Sequence, residues 1–119
     1  MLLLGQIINL CGGQPSENHV RFDFGGAVPV RVSSYRGFYN DLAIEYVEVY
    51  PQPTVREFMR WMEEAVGTTF QGYKGGDFKM YSNSRVWVAN YGQVTDTVII
   101  GIVAGDYDLT ILQTGYEQE

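Results

Sequence analysis

Only one cysteine, Cys11, occurs in the 119 residues, so no disulfide can form within the chain. A lone thiol suits a reducing compartment, and a cytoplasmic location is expected. There is also only one histidine, His19, and no Cys/His spacing that would hold zinc. No apolar run approaches the roughly 20 residues that a membrane-crossing helix needs. Met1 to Leu4 are apolar, but no basic segment precedes them and the polar Gln6 and Asn9 follow, which argues against a signal peptide. Charge is sparse at 18%, and basic charge is sparser still, giving a formal net charge of -6. Residues 86–119 carry Asp96, Asp106, Asp108, Glu117 and Glu119 without a single Lys or Arg. Bulk binding to DNA or RNA phosphate requires a basic stripe, and none is present. A small anion held by two or three local cations stays open.

Reactive constellations are equally scarce. His19 sits on a polar strand position with no Ser or Cys motif beside it, and reads as a surface histidine. Cys11 falls on an apolar helix face, where a thiol acts as a small apolar group. Asp106-x-Asp108 lacks the remaining ligand positions of a calcium loop and reads as a hairpin turn. The run Gly72-Tyr73-Lys74-Gly75-Gly76 shares composition with a phosphate loop but neither its spacing nor a Ser/Thr after the lysine. It reads as an anion-binding nest of backbone amides or as a plain connecting loop. No nucleophile–base pair, metal site or cofactor motif is visible, so a non-enzymatic protein without cofactor or metal is expected.

What the chain does have is 45% hydrophobic residues, enough for one folded domain over residues 1–119. Residues 2–11 show helical spacing, stopped by Gly12-Gly13. Residues 19–24 alternate as a half-buried strand, residues 29–32 are extended, and residues 42–50 form a strand. In that strand Glu45 and Glu48 mark solvent-facing positions or a break in register. Thr54-Val55-Arg56-Glu57 is a capping box. It opens a helix over 55–66 whose stripe is Val55, Phe58, Met59, Met62 and Val66, with Gly67 at its C-terminal end. After a glycine-rich loop, strands are predicted over 85–90, 97–104 and 107–113. The expected class is α+β, in the order α-β-β-α-β-β-β, with both helices on one face of a mainly antiparallel sheet.

Aromatics make up 14% and concentrate in two places, residues 33–39 (SSYRGFY) and 70–91 (FQGYKGGDFKMYSNSRVWVANY). Aromatic faces beside glycine and fixed cations are ingredients of a polar-ligand pocket or an interaction surface. On the strand at 85–90, Val86 and Val88 share one face while Arg85, Trp87 and Ala89 share the other. A Trp beside an Arg on an open sheet face suits a planar ligand, a subunit contact, or a second small core under the loops.

Three segments carry a resemblance: residues 20–25 (VRFDFG), residues 34–39 with Asp41-Leu42-Ala43, and residues 72–78 (GYKGGDF) with 87–92 (WVANYG). Together they resemble a group of short uncharacterised proteins found in phage and prophage genomes, across most of residues 2–105. Small phage proteins of this kind often antagonise host defence by sequestering a nucleotide signal or by binding a protein. The resemblance thus implies a phage-type binding protein acting in the host cytoplasm. No catalytic residue carries over.

The expected ligand is a small anionic, nucleotide-like molecule. Arg36 offers a bidentate fork to phosphate and Lys74 a point charge. Tyr35, Tyr39, Tyr73, Trp87 and Tyr91 offer stacking faces, with Arg85 and Asn90 completing the site. The site is expected to span two subunits of a homo-oligomer, most simply a dimer. The alternative is a protein-interaction inhibitor of a host defence protein or nuclease, with the aromatics as interface anchors.

Overall fold

The computed structural model describes residues 1–48, 50–90 and 93–117. Its elements run α1 (Leu4–Gly12), β1 (His19–Phe22), β2 (Ala27–Ser34), β3 (Leu42–Glu48), α2 (Val55–Ala65), β4 (Thr69–Gln71), β5 (Asp77–Lys79), β6 (Val86–Ala89), β7 (Thr97–Ala104) and β8 (Leu109–Tyr116). Six strands form one sheet in the order β1-β8-β7-β6-β3-β2, and β4 pairs with β5 apart from it. The class is α+β, as expected. The sheet is mixed, because β1 runs parallel to β8 and β3 parallel to β6, while β2–β3, β6–β7 and β7–β8 are antiparallel.

Both helices lie on the same face. Leu4, Ile7 and Cys11 of α1 and Val55, Phe58, Met62 and Ala65 of α2 pack with Val20, Phe22, Ile44, Val86, Val88, Ile99 and Leu112 of the strands. Phe22 of β1 reaches Tyr46 of β3, ring centroids 6.1 Å apart, although three strands separate them. Four steps of a flat sheet would span about 19 Å. The sheet therefore coils so that its helix-bearing face is concave.

Helix ends follow local chemistry. The Thr54 hydroxyl accepts from the Glu57 amide at 3.2 Å, and the Thr54 amide donates to the Glu57 carboxylate at 3.1 Å. The Thr54 amide, and after it the Thr54 hydroxyl, which lies 3.1 Å from the same carboxylate, hold the Glu57 carboxyl below its usual range. Ala65 takes the stripe position expected of Val66, which is exposed beyond the last turn, and Gly67 follows with φ 82. The first amides of α1 find carbonyls outside the helix: Leu4 donates to Ser84 at 3.0 Å and Gly5 to Ser82 at 2.7 Å.

Three expectations need correction. The stretch read as a loop after α2 contains the β4–β5 hairpin, three residues per strand and too short for a period to show. The second strand runs from Ala27 to Ser34, well beyond 29–32. The last strand starts at Leu109 rather than 107, because Tyr107 and Asp108 form the turn with φ of 50 and 62. The Leu109 amide donates back to the Asp106 carbonyl at 3.2 Å, which makes this a mirror-image hairpin turn.

Candidate functional site

The alternation of β6 splits the two cores. Val86 and Val88 face the helices, whereas Trp87 and Ala89 face a second cluster with Tyr35, Ala43 and Val98. Of the three readings of Trp87, a second core under the loops matches this placement. Trp87 is 4% exposed, its ring is stacked on Tyr35 at 5.0 Å and 9°, and its indole N–H donates to Asp41 at 2.9 Å. Asp41 also pairs with Arg85 at 2.9 Å, and the Arg85 guanidinium lies 4.9 Å from the Phe38 ring. Arg85 and Trp87 thus share a face, as the strand period predicts, and are joined through one buried carboxylate.

Beside this second core, on the same face, opens a cavity of about 280 Å³. Its floor is the outward face of β2, β3 and β6, with Arg31 and Ser33, then Ala43 and Glu45, then Ala89, and Tyr35 just past the end of β2. Arg36, Asn90 and Gln93, with Gln71 and Tyr73 of the hairpin, complete its lining. The two aromatic-rich segments of the sequence therefore meet across it. Within this lining the Arg36 guanidinium sits 3.6 Å from the centroid of the Tyr73 ring, a close cation–π stack.

Of the predicted site residues, Tyr35, Arg36, Tyr73 and Asn90 line this cavity. Lys74 follows Tyr73 on the exposed turn. Tyr39 turns towards the hairpin, its ring 5.4 Å from Phe78, while its carbonyl accepts from the Ser34 hydroxyl at 2.6 Å. Arg85 and Trp87 belong to the second core described above. Tyr91 lies outside the described residues.

Arg31, Ser33, Glu45, Gln71 and Gln93 were not legible as site residues. The signal for the first two was a strand period running through 31, 33 and 35, hidden because the second strand was cut short. Glu45, expected to face solvent or break register, is buried and ion-paired to Arg31 on the cavity floor. The register does shift opposite it, between Pro29 and Arg31 of β2. Glu48 is exposed, as expected.

Tyr35 ties the floor to the neighbouring loop. Its hydroxyl donates to the Thr95 carbonyl and accepts from the Thr95 amide at 2.8 Å. Burial pushes the Tyr35 hydroxyl pKa up, and the bonds to Thr95 pull against it. The ring leaves no room beside Gly37, where an added Cβ would lie 2.5 Å from it. The lining is polar and mixed: two guanidiniums, one buried carboxylate and three side-chain amides. Its charged groups sum to about +1 in a chain of net charge -6, so attraction of an anion here is local.

No protein family, curated protein or solved structure matches this chain. Among the described residues, no three His, Cys, Asp or Glu side chains gather as a metal site. None of the described helices is long and apolar enough to cross a membrane.

Proposed function

We propose that the protein is a non-enzymatic, phage-type binding protein that captures a small anionic, nucleotide-like ligand and so blunts a host defence signal in the host cytoplasm. The observation that carries this reading is the Arg36–Tyr73 stack in the lining of a polar cavity. A guanidinium already oriented by a ring loses little further freedom when it grips phosphate. Asn90, Gln71 and Gln93 supply amides for the edge of a base, and Glu45 supplies an acceptor for hydroxyl or amino donors. Tyr73, 63% exposed, offers the accessible aromatic surface. Trp87, being buried, shapes the floor through Tyr35 rather than stacking on the ligand.

A second copy would complete the site. The outward face of β7–β8 presents Ile100 and Val103, both exposed, on the same side of the sheet as the cavity. Two-fold pairing over that face is the simplest way to cover it.

Calorimetry with a panel of nucleotides tests the capture reading. Saturable binding by the wild type that weakens in Arg36→Ala supports it, and no binding to any member counts against it. The rival reading is an inhibitor that docks on a host defence protein or nuclease. It draws on Tyr107, 97% exposed at the tip of the β7–β8 hairpin between two aspartates. Native mass spectrometry on protein recovered from phage-infected cells separates the two: a retained small mass favours capture, a retained host protein favours docking.

A further inference from the structure

Glu45 is a carboxylate held almost out of water, 7% exposed, on the floor of the cavity. Its neighbours across the ladders are Arg31 of β2 and Ala89 of β6. Ala43 stands two residues earlier on the same face of β3. Ala43 and Ala89 end at a methyl group, so the floor beside Glu45 stays hollow. On the other side the Arg31 Nε donates to Oε2 of Glu45. No described residue donates to Oε1. Among the described residues every buried side-chain nitrogen or oxygen has a partner, so Oε1 is not sealed in and opens to the cavity. That oxygen differs from the other polar side chains around it. Gln71, Gln93 and Asn90 each offer a donor and an acceptor, the Ser33 hydroxyl does both, and the guanidiniums only donate. An ionised carboxylate only accepts. Glu45 is thus the one side chain of the described lining that holds a donor and repels an acceptor.

We propose that Glu45 makes the cavity selective for guanine, so that the captured ligand is a guanine nucleotide. This rests on the cavity being the nucleotide site. Guanine alone among the common bases carries two adjacent donors on its pairing edge, N1–H and the 2-amino group. A carboxylate matches that pair with its two oxygens. Oε1 is open, and Oε2 keeps a second lone pair beside the bond from Arg31. The ion pair also fixes the carboxylate in place, so little freedom is lost when a base docks. Adenine and cytosine set a ring-nitrogen acceptor next to their amino group, and uracil flanks its one N–H with two carbonyls. Each of these brings a lone pair against the carboxylate. Gln71 and Gln93, elsewhere in the lining, can donate to guanine O6. At about 280 Å³ the cavity lies just below the usual range for a whole small-molecule ligand, so the base is the part it takes.

Calorimetry of the wild-type protein with GMP, IMP and AMP reads the two donors in turn. IMP keeps N1–H and lacks the 2-amino group, whereas AMP presents an acceptor at N1. GMP should bind about tenfold or more tighter than IMP, the factor that one hydrogen bond to a charged group supports. AMP should be weaker than IMP by about the same factor. Glu45→Gln keeps the shape of the side chain but replaces one oxygen with an amide donor. It should weaken GMP about tenfold or more and leave AMP no weaker, so that the preference shrinks or reverses. Arg31 is exposed, so water can solvate it when the partner charge is gone, and an unchanged thermal melt would show that the variant folds. The base series on the wild type tests selection without the variant. Equal affinity for GMP, IMP and AMP overturns guanine selection and leaves nucleotide capture standing, as does an unchanged preference in folded Glu45→Gln. Failure of GMP to bind overturns the proposal whatever other nucleotides do. Failure of every nucleotide to bind removes the capture reading with it.

Discussion

Tyr35 and Trp87 stack almost face to face, 5.0 Å between centroids and 9° between planes, with Tyr35 itself lining the cavity. One ring comes from the loop after β2 and the other from the middle of β6. Their contact turns two aromatic-rich stretches, far apart in the chain, into one platform. Both polar tips are satisfied, the indole on Asp41 and the phenol on Thr95.

That platform should be sensitive to loss of a single oxygen. Tyr35→Phe removes both bonds to Thr95 and leaves its amide and carbonyl without the hydroxyl. The expected loss is about 1–2 kcal/mol in chemical denaturation. Hydrogen exchange at Thr95 and Thr97 should speed up more than exchange in α2. A wild-type exchange pattern around Thr95 would show that the hydroxyl does not anchor that loop.

Asp41 holds Arg85 and the Trp87 indole at once. Asp41→Ala should cost roughly 2–3 kcal/mol, since a charged acceptor is lost and the buried N–H is left unpaired. The Trp87 emission should shift to longer wavelength. Stability within error of wild type would mean that water replaces the carboxylate without cost.

The cap of α2 belongs to folding and not to binding. Thr54→Ala should cost about 1 kcal/mol. The pH dependence has a definite sign. Glu57 is held below its usual range in the folded protein, so its contribution is present above the ordinary carboxylate range and fades as pH falls through the lowered value. Glu57→Gln, which has no carboxyl to titrate, should therefore lose less stability on acidification than wild type. A variant of normal stability with binding abolished would reverse the assignment.

At the alkaline end the sign is opposite. Burial raises the Cys11 thiol from 9.0 to about 12, so its contribution is intact below pH 9 and is lost as pH climbs towards 12. Urea midpoints of wild type and Cys11→Ala, measured over that range, should converge as pH rises. Tyrosine titration is common to both chains and cancels in the difference. Parallel curves would show that the folded thiol titrates normally.

Binding should separate the two bases that sequence places together. Arg36 lines the cavity, and Arg36→Ala should weaken nucleotide binding by roughly 2 kcal/mol or more, with added salt reproducing part of the loss. Lys74, on the exposed turn, acts through solvent, so Lys74→Ala should weaken binding less. Wild-type affinity in both variants would remove these bases from the site. If a second copy completes the site, Ile100→Lys should leave the fold intact while sedimentation shifts towards a 13.5 kDa species and affinity falls with it.

The fold class and the inner faces of the elements are legible in the chain alone. A capping box, a helical stripe and a two-residue strand period are local and carry their own burial, so α1, α2, β1 and β6 could be read with ends off by at most two residues. The strand period also determined that Trp87 and Arg85 share a face opposite the valines. Tertiary structure decided the rest. The β4–β5 hairpin is too short to show a period and exists because Phe70 and Phe78 pack on a core built elsewhere. Glu45 reads as a solvent residue in its own strand, yet Arg31 across the ladder makes its burial tolerable. Which aromatics would be core and which would line the cavity depended on strand order: β6 pairs with β3 and not with its sequence neighbour β5, so Tyr35 meets Trp87 and Tyr73 is left to meet Arg36. Such pairings join residues tens of positions apart, and no local pattern encodes them.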